Sequence, residues 1–342
     1  MKARAEGFAA VTSWCKVGVM RKLPMLLIWM TAFPLTSTAT DSPLVFTGTC
    51  DASAAAAVNS DLFVVANDED NLLRFYRLSR PGAPVHVYAV GQPARKKKQP
   101  PEMDIEGAAR IGNRVFWIGS HGQNADGEFA PNRHRFFALD ISDSRDGVRV
   151  RPVGSHYTNL VADMTRDPKL ARFRLQHAAQ AKPKAPGGLN IEALTDTPAG
   201  TLLIGFRNPV PQNRALLVSL LNPNEVVTGE SAQFGDPILL DLGGLGLRGI
   251  GSTRSGYYLI AGPAQGDAES RLFLWKGGDA VPELVSNITF AGLNPEGICF
   301  HDSDVRTDFL LLSDDGTRNL HGEDCKDLPV SERQFRAVRV PR

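Results

Sequence analysis

The chain has 342 residues, with 38 Lys and Arg against 37 Asp and Glu for a net charge of +1. That balance excludes a polycation built for nucleic acid, and it excludes an acidic tail. The 32 glycines and 23 prolines suit a fold of many turns, and 42% hydrophobic content supplies the core of a closed all-β domain.

Residues 1–39 read as a leader rather than as part of the fold. Arg21 and Lys22 precede an apolar run from Leu23 to Leu35, too short to span a bilayer, and Ser37–Thr38–Ala39 offers a small-x-small cleavage pattern. Met20 is an alternative start for the same signal. The expectation is export to the periplasm or beyond, with a mature chain that begins near Thr40 and has no membrane span. Cys15 would leave with the leader. Cys299 lies in the apolar run Gly297–Ile298–Cys299–Phe300 and reads as a small core residue, so Cys50 and Cys325 are the expected disulfide.

From there on the chain repeats. Asp104–Ile105–Glu106–Gly107 is followed, fifteen residues after Glu106, by the end of Arg114–Val115–Phe116–Trp117–Ile118–Gly119–Ser120–His121. Asn190–Ile191–Glu192–Ala193 leads in the same way to Leu202–Leu203–Ile204–Gly205–Phe206–Arg207, and Asn294–Pro295–Glu296–Gly297 leads to Leu310–Leu311–Leu312–Ser313–Asp314. Weaker copies open at Asp51–Ala52–Ser53–Ala54 and Arg248–Gly249–Ile250–Gly251. Each copy continues to a third short run near an arginine: Arg74, Arg135, Arg214, Arg271 and Arg336. Short β-branched runs between turn residues, recurring near fifty residues, predict an all-β propeller of five or six blades over residues 44–342.

Two stretches interrupt the repeat. Arg95–Lys96–Lys97–Lys98 reads as a solvated loop. Between Glu106 and Glu192 the interval is longer than elsewhere, and Leu160, Val161, Met164, Leu170, Phe173 and Leu175 recur there at helical spacing. Residues 156–186 are therefore a helical insertion, or else a degenerate sixth blade.

The repeat, together with Asn67–Asp68–Glu69–Asp70–Asn71, Gly119–Ser120–His121, Gly205–Phe206–Arg207–Asn208–Pro209 and Leu312–Ser313–Asp314–Asp315–Gly316, resembles an uncharacterised bacterial domain-of-unknown-function family. The resemblance covers about residues 46 to 340. More distantly, it is similar to the phytase-like esterase propellers, which implies phosphoester or ester hydrolysis without assigning any catalytic position.

Hairpin geometry brings the start of one strand beside the end of the next, so Glu106 with His121, Glu192 with Arg207, and Glu296 with Asp314 are expected neighbours around one funnel. Ser53 with Asp68, and Ile250 with Pro263, take the matching places in the weaker copies. The expected chemistry is metal-assisted hydrolysis of a small ester or phosphoester. His121, Glu106, Glu192 and Glu296 are the catalytic candidates, Arg207 and Arg248 would bind substrate, and Asp68, Asp314 and Asp315 would hold a cation such as Ca2+. No nucleophile elbow, phosphate-binding loop or zinc-protease helix appears. The same residues read equally as a structural girdle, in a non-catalytic propeller that binds a ligand or an envelope protein.

Overall fold

The computed structural model describes residues 42–91, 101–266, 269–286, 288, 290, 292–300 and 308–341. The expected leader at 1–39 and the basic run at 95–98 lie outside the described residues. The rest forms a five-bladed β-propeller, each blade an antiparallel four-stranded sheet.

From the channel outwards, blade 1 is Ala54–Ala57, Leu62–Ala66, Leu72–Arg77 and His86–Ala89. Blade 2 is Ile105–Ile111, Arg114–Gly119, Phe136–Ser144 and Gly147–Tyr157, and blade 3 is Asn190–Asp196, Leu202–Asn208, Ala215–Leu220 and Ile238–Leu240. Blade 4 is Gly246–Thr253, Gly256–Gly262, Arg271–Trp275 and Glu283–Leu284. Blade 5 takes Pro295–Cys299, Asp308–Ser313 and Gln334–Pro341 from the end of the described chain and its outermost strand, Leu44–Thr47, from the beginning. Leu44 lies opposite Ala337 and Thr47 opposite Gln334, so the first described strand closes the ring onto the last.

The strands form because their inward residues are Val, Ile, Leu and Phe, and the sandwiched layers between blades are filled by them. Phe63, Phe75, Trp117, Phe206 and Trp275 are all buried. Close to the axis there is no room for such side chains. The inner strand of blade 1 is four alanines, all buried, and the residue after the repeated glutamate is small for the same reason. A Cβ on Gly107 would come within 2.8 Å of Leu194 Cβ in the next inner strand, and one on Gly249 within 2.3 Å of Glu296 O. The glycine of the repeat thus serves close approach of successive blades.

The outermost strand of blade 2 runs to Tyr157, so the expected insertion at 156–186 begins after that strand, with helices at Leu160–Arg166 and Leu175–Ala178 before blade 3. Leu160, Val161, Met164, Leu170 and Leu175 join Phe116, Phe136, Leu202 and Phe206 in one apolar cluster, which holds the insertion against the two blades. The unusual length before Glu192 is also spent on the long outer hairpin Phe136–Tyr157.

The expected Cys50–Cys325 disulfide is formed, with the Cα atoms 6.0 Å apart, and Cys299 is a buried thiol outside that bridge. Among the described residues no helix is long and apolar enough to cross a membrane.

Candidate functional site at the mouth of the channel

The site is built on a backbone irregularity shared by four blades. The register of the two inner strands shifts between Ile105 and Gly107, between Ile191 and Ala193, between Leu247 and Gly249, and between Pro295 and Gly297. The extra residue in each case is Glu106, Glu192, Arg248 and Glu296. A bulge re-aims its side chain and increases local twist. Arg248 therefore stands in the place of the repeated glutamate, a place that residue counting along the repeat gave to Ile250.

Across the hairpin, Ser120 donates its N–H to Asp104 O as Asp314 donates to Asn294 O. Ser120 is thus the register equivalent of Asp314, and His121 lies one residue further on. Its side chain has correspondingly different neighbours: Nδ1 lies 2.8 Å from Gly119 O, and the ring packs on His134 at 5.4 Å between centroids. His121 is completely buried and its Nε2 has no hydrogen-bond partner. Burial, with His134 beside it, pushes its pKa down to about 3, so the ring is neutral at physiological pH.

Blades 3, 4 and 5 contribute a compensated half to the mouth. Arg207 Nη1 lies 2.8 Å from Glu192 Oε1, and Arg207 Nε donates to Pro263 O at 3.0 Å. Arg248 pairs with Glu296, approaches Glu192 Oε2 at 3.6 Å and donates to Asn294 Oδ1 at 2.5 Å. Asn190 donates to Glu192 Oε1 at 2.6 Å. Glu192 is 4% exposed, Arg248 8% and Glu296 9%, so these charges are neutralised by one another rather than by water.

Blades 5, 1 and 2 contribute an acidic half. Burial first, and the neighbouring carboxylates next, push Asp51 up to about 9 and Asp68 up to about 8. Asp104 is held at about 6, where burial outweighs the attraction of Arg133, whose Nη1 lies 3.0 Å away. Glu106 is raised well above the usual carboxylate range by burial and by Glu192, Asp104 and Asp68, which Arg207 opposes only in part. Asp51 also hydrogen-bonds to Asp314, whose Oδ1 accepts from Gly316 N and whose Oδ2 accepts from Asn294.

Asp315 sits apart from this arrangement. Its oxygens accept from Ser313 Oγ at 2.8 Å, from Arg336 N at 3.0 Å and from the Arg336 guanidinium at 2.6 and 2.8 Å, which makes it a structural partner of the third strand of blade 5. Asp68, in contrast, has an Oδ1 that is shielded from solvent and has no hydrogen-bond partner. Asp104 and Asp51 went unchosen as candidates in the sequence, although Asp51, Asp104, Asn190 and Asn294 share the first place of the repeat. Arg133, in the loop before the third strand of blade 2, carried no signal.

At this rim the channel is narrow. Ser53, Glu106, Glu192, Ile250 and Glu296 with their neighbours leave a cavity of about 10 Å3, about the room of a single water.

No curated protein matches the chain. Solved structures of low similarity include the glutaminyl cyclase of Myxococcus xanthus, 10% identical with a TM-score of 0.42 over 88% of this chain and 96% of that one. The PQQ-bound aldose sugar dehydrogenase of Streptomyces coelicolor is likewise 10% identical, with a TM-score of 0.42 over 87% and 96%. A protein of unknown function from Bacteroides caccae is 12% identical, with a TM-score of 0.34 over 83% and 73%. At this distance nothing of their activities carries over. A family model described as Protein of unknown function (DUF3616) matches residues 142–321, more than half of the sequence, and the chain belongs to that family.

Proposed function

We propose that this chain is an exported propeller that hydrolyses phosphate or carboxylate esters at the mouth of its channel with the help of a hard divalent cation such as Ca2+. The observation that carries this reading is the division of the mouth into a half whose charges are mutually paired and a half that concentrates buried acids. A cation on the acidic side would polarise the ester oxygen and favour attack by water. Hydrolysis delivers hydroxyl to the phosphorus or acyl carbon and a proton to the departing oxygen. Asp51, whose pKa burial and its acidic neighbours raise to about 9, suits the role of proton donor. The disulfide is compatible with an oxidising compartment.

The test is a panel of carboxylate esters, phosphomonoesters and phosphodiesters offered to the purified mature protein, with calcium, without it, and after chelation. Turnover that chelation removes is the expected result, and no turnover across the panel overturns the hydrolase. A second reading, a ligand-binding propeller without catalysis, is favoured by one observation. Arg207 and Arg248, the groups an anionic ester would need, are both engaged by buried glutamates. Ligand capture without turnover would select it.

A further inference from the structure

We propose that Asp68, Asp104 and Glu106 together hold one hard divalent cation, at the side of the channel mouth where blades 1 and 2 meet. The inference deepens the reading above by naming the residues, and rests on it for the view that this face is the functional one.

The three side chains arrive from three backbone positions. Asp68 follows the second strand of blade 1, Asp104 precedes the inner strand of blade 2, and Glu106 is the bulged residue within it. One oxygen from each lies within 4.8 Å of the others. Two oxygens bound to one calcium at about 2.3–2.6 Å are at most about 5 Å apart, so small side-chain adjustments bring all three within reach of one ion. The donors are all carboxylate oxygens, which select a hard cation over zinc or copper.

A second observation separates this cluster from an ordinary acidic patch. Asp68 Oδ1 is shielded from solvent and has no hydrogen-bond donor among the described residues, an arrangement that costs free energy unless a positive partner is present. Nearby pairing does not serve that atom. Arg133 is directed to Asp104 and Glu102, Arg207 to Glu192, and Arg74 to Asp70. Asp314 acts on Asp68 electrostatically without being one of the three ligand groups.

The test uses the whole mature protein, stripped with chelator and titrated separately with CaCl2, MnCl2, MgCl2 and ZnCl2, followed by calorimetry and by thermal melting. One equivalent of a hard cation should bind and raise Tm. Asp68→Asn and Glu106→Gln should each weaken binding by at least the roughly 10–100-fold seen when an outer-shell partner of a metal is lost. Asp146→Asn, on the exposed turn of the outer hairpin of blade 2, should leave it unchanged. Because each ligand variant puts a neutral amide of the same shape where neighbouring acids disfavour a carboxylate, both should melt without added metal at or above the unsubstituted protein, which separates loss of the ion from loss of the fold.

Absence of heat and of any Tm shift with every ion overturns the site, and so does binding that survives both variants. Cation binding that the variants abolish, in a protein that turns over no ester, leaves the site standing and removes the hydrolase. Ester turnover that persists in chelator with no cation bound does the reverse.

Discussion

Arg248 occupies in blade 4 the bulged place that Glu296 occupies in blade 5, and the two side chains meet across the channel mouth. One substitution in a repeat has thereby turned a ring of like charges into an ion-paired arc, since Arg248 also faces Glu192 and Glu192 is held by Arg207.

Arg248→Ala should for that reason destabilise the fold rather than simply alter ligand binding. It strands Glu296 and part of Glu192 as buried charges, which costs about 3–5 kcal/mol when one partner of a buried pair is removed. Urea denaturation measures it. The double variant Arg248→Ala/Glu296→Gln should recover part of the loss, and a single variant as stable as the parent would show that the arc contributes little.

Close approach at the axis sets a second expectation. Gly249→Ala places a methyl group 2.3 Å from a backbone oxygen of blade 5, whereas Gly297→Ala meets its nearest neighbours at 3.1 and 3.2 Å. The first should cost about 1–3 kcal/mol or more as an overpacked site and displace Arg248 next to it, while the second is absorbed by small shifts. Thermal melts of the two variants give the ranking directly, and equal losses would count against the packing argument.

Much of the fold was legible because a propeller writes the same hairpin several times, with the small residue after Glu106, Arg248 and Glu296 recording contact between successive inner strands. The outermost strands were not legible. Glu283–Leu284 is two residues long, and Leu44–Thr47 pairs with the far end of the chain, so neither leaves a local pattern. The candidate site was half legible for a related reason. Counting fifteen residues finds both ends of a hairpin, but a bulge adds a residue without changing the pattern of apolar side chains. The bulge and turns of unequal length together moved the glutamate's equivalent by two residues, from Ile250 to Arg248, and the equivalent of Asp314 by one, from His121 to Ser120. Burial was equally unreadable, and burial is what raises Asp51 and Asp68 far above an exposed carboxylate.

The disulfide should act as a clasp on ring closure. Cys50 follows the outermost strand of blade 5 and leads into blade 1, while Cys325 lies in the loop between the second and third strands of blade 5, 275 residues later. Cys50→Ala/Cys325→Ala should lose about 2–5 kcal/mol, the range typical of a native bridge removed. Guanidinium denaturation checks the loss. A peptide map of the unreduced protein should link these two cysteines alone, with Cys299 reacting with a thiol reagent only after unfolding, since it is buried.

His121 supplies the pH dependence whose sign is easiest to isolate. Its folded pKa, at about 3, lies below the ordinary 6.5, so the folded protein resists a proton that the unfolded chain accepts. The stability this contributes is present above pH 6.5 and is lost as pH falls from there through 3, at about 1.4 kcal/mol per pH unit for a single group. Other titrating residues contribute their own slopes, so the informative quantity is the difference between the parent and His121→Asn. Asparagine removes the titration and tolerates the left-handed backbone at this position, where φ is 55°. Denaturation curves from pH 7.5 to 4.5 should show the parent losing stability relative to the variant only below about pH 6.5. Parallel curves over that interval would mean that His121 takes up its proton in the folded state, and would overturn the assignment of a neutral ring packed against His134.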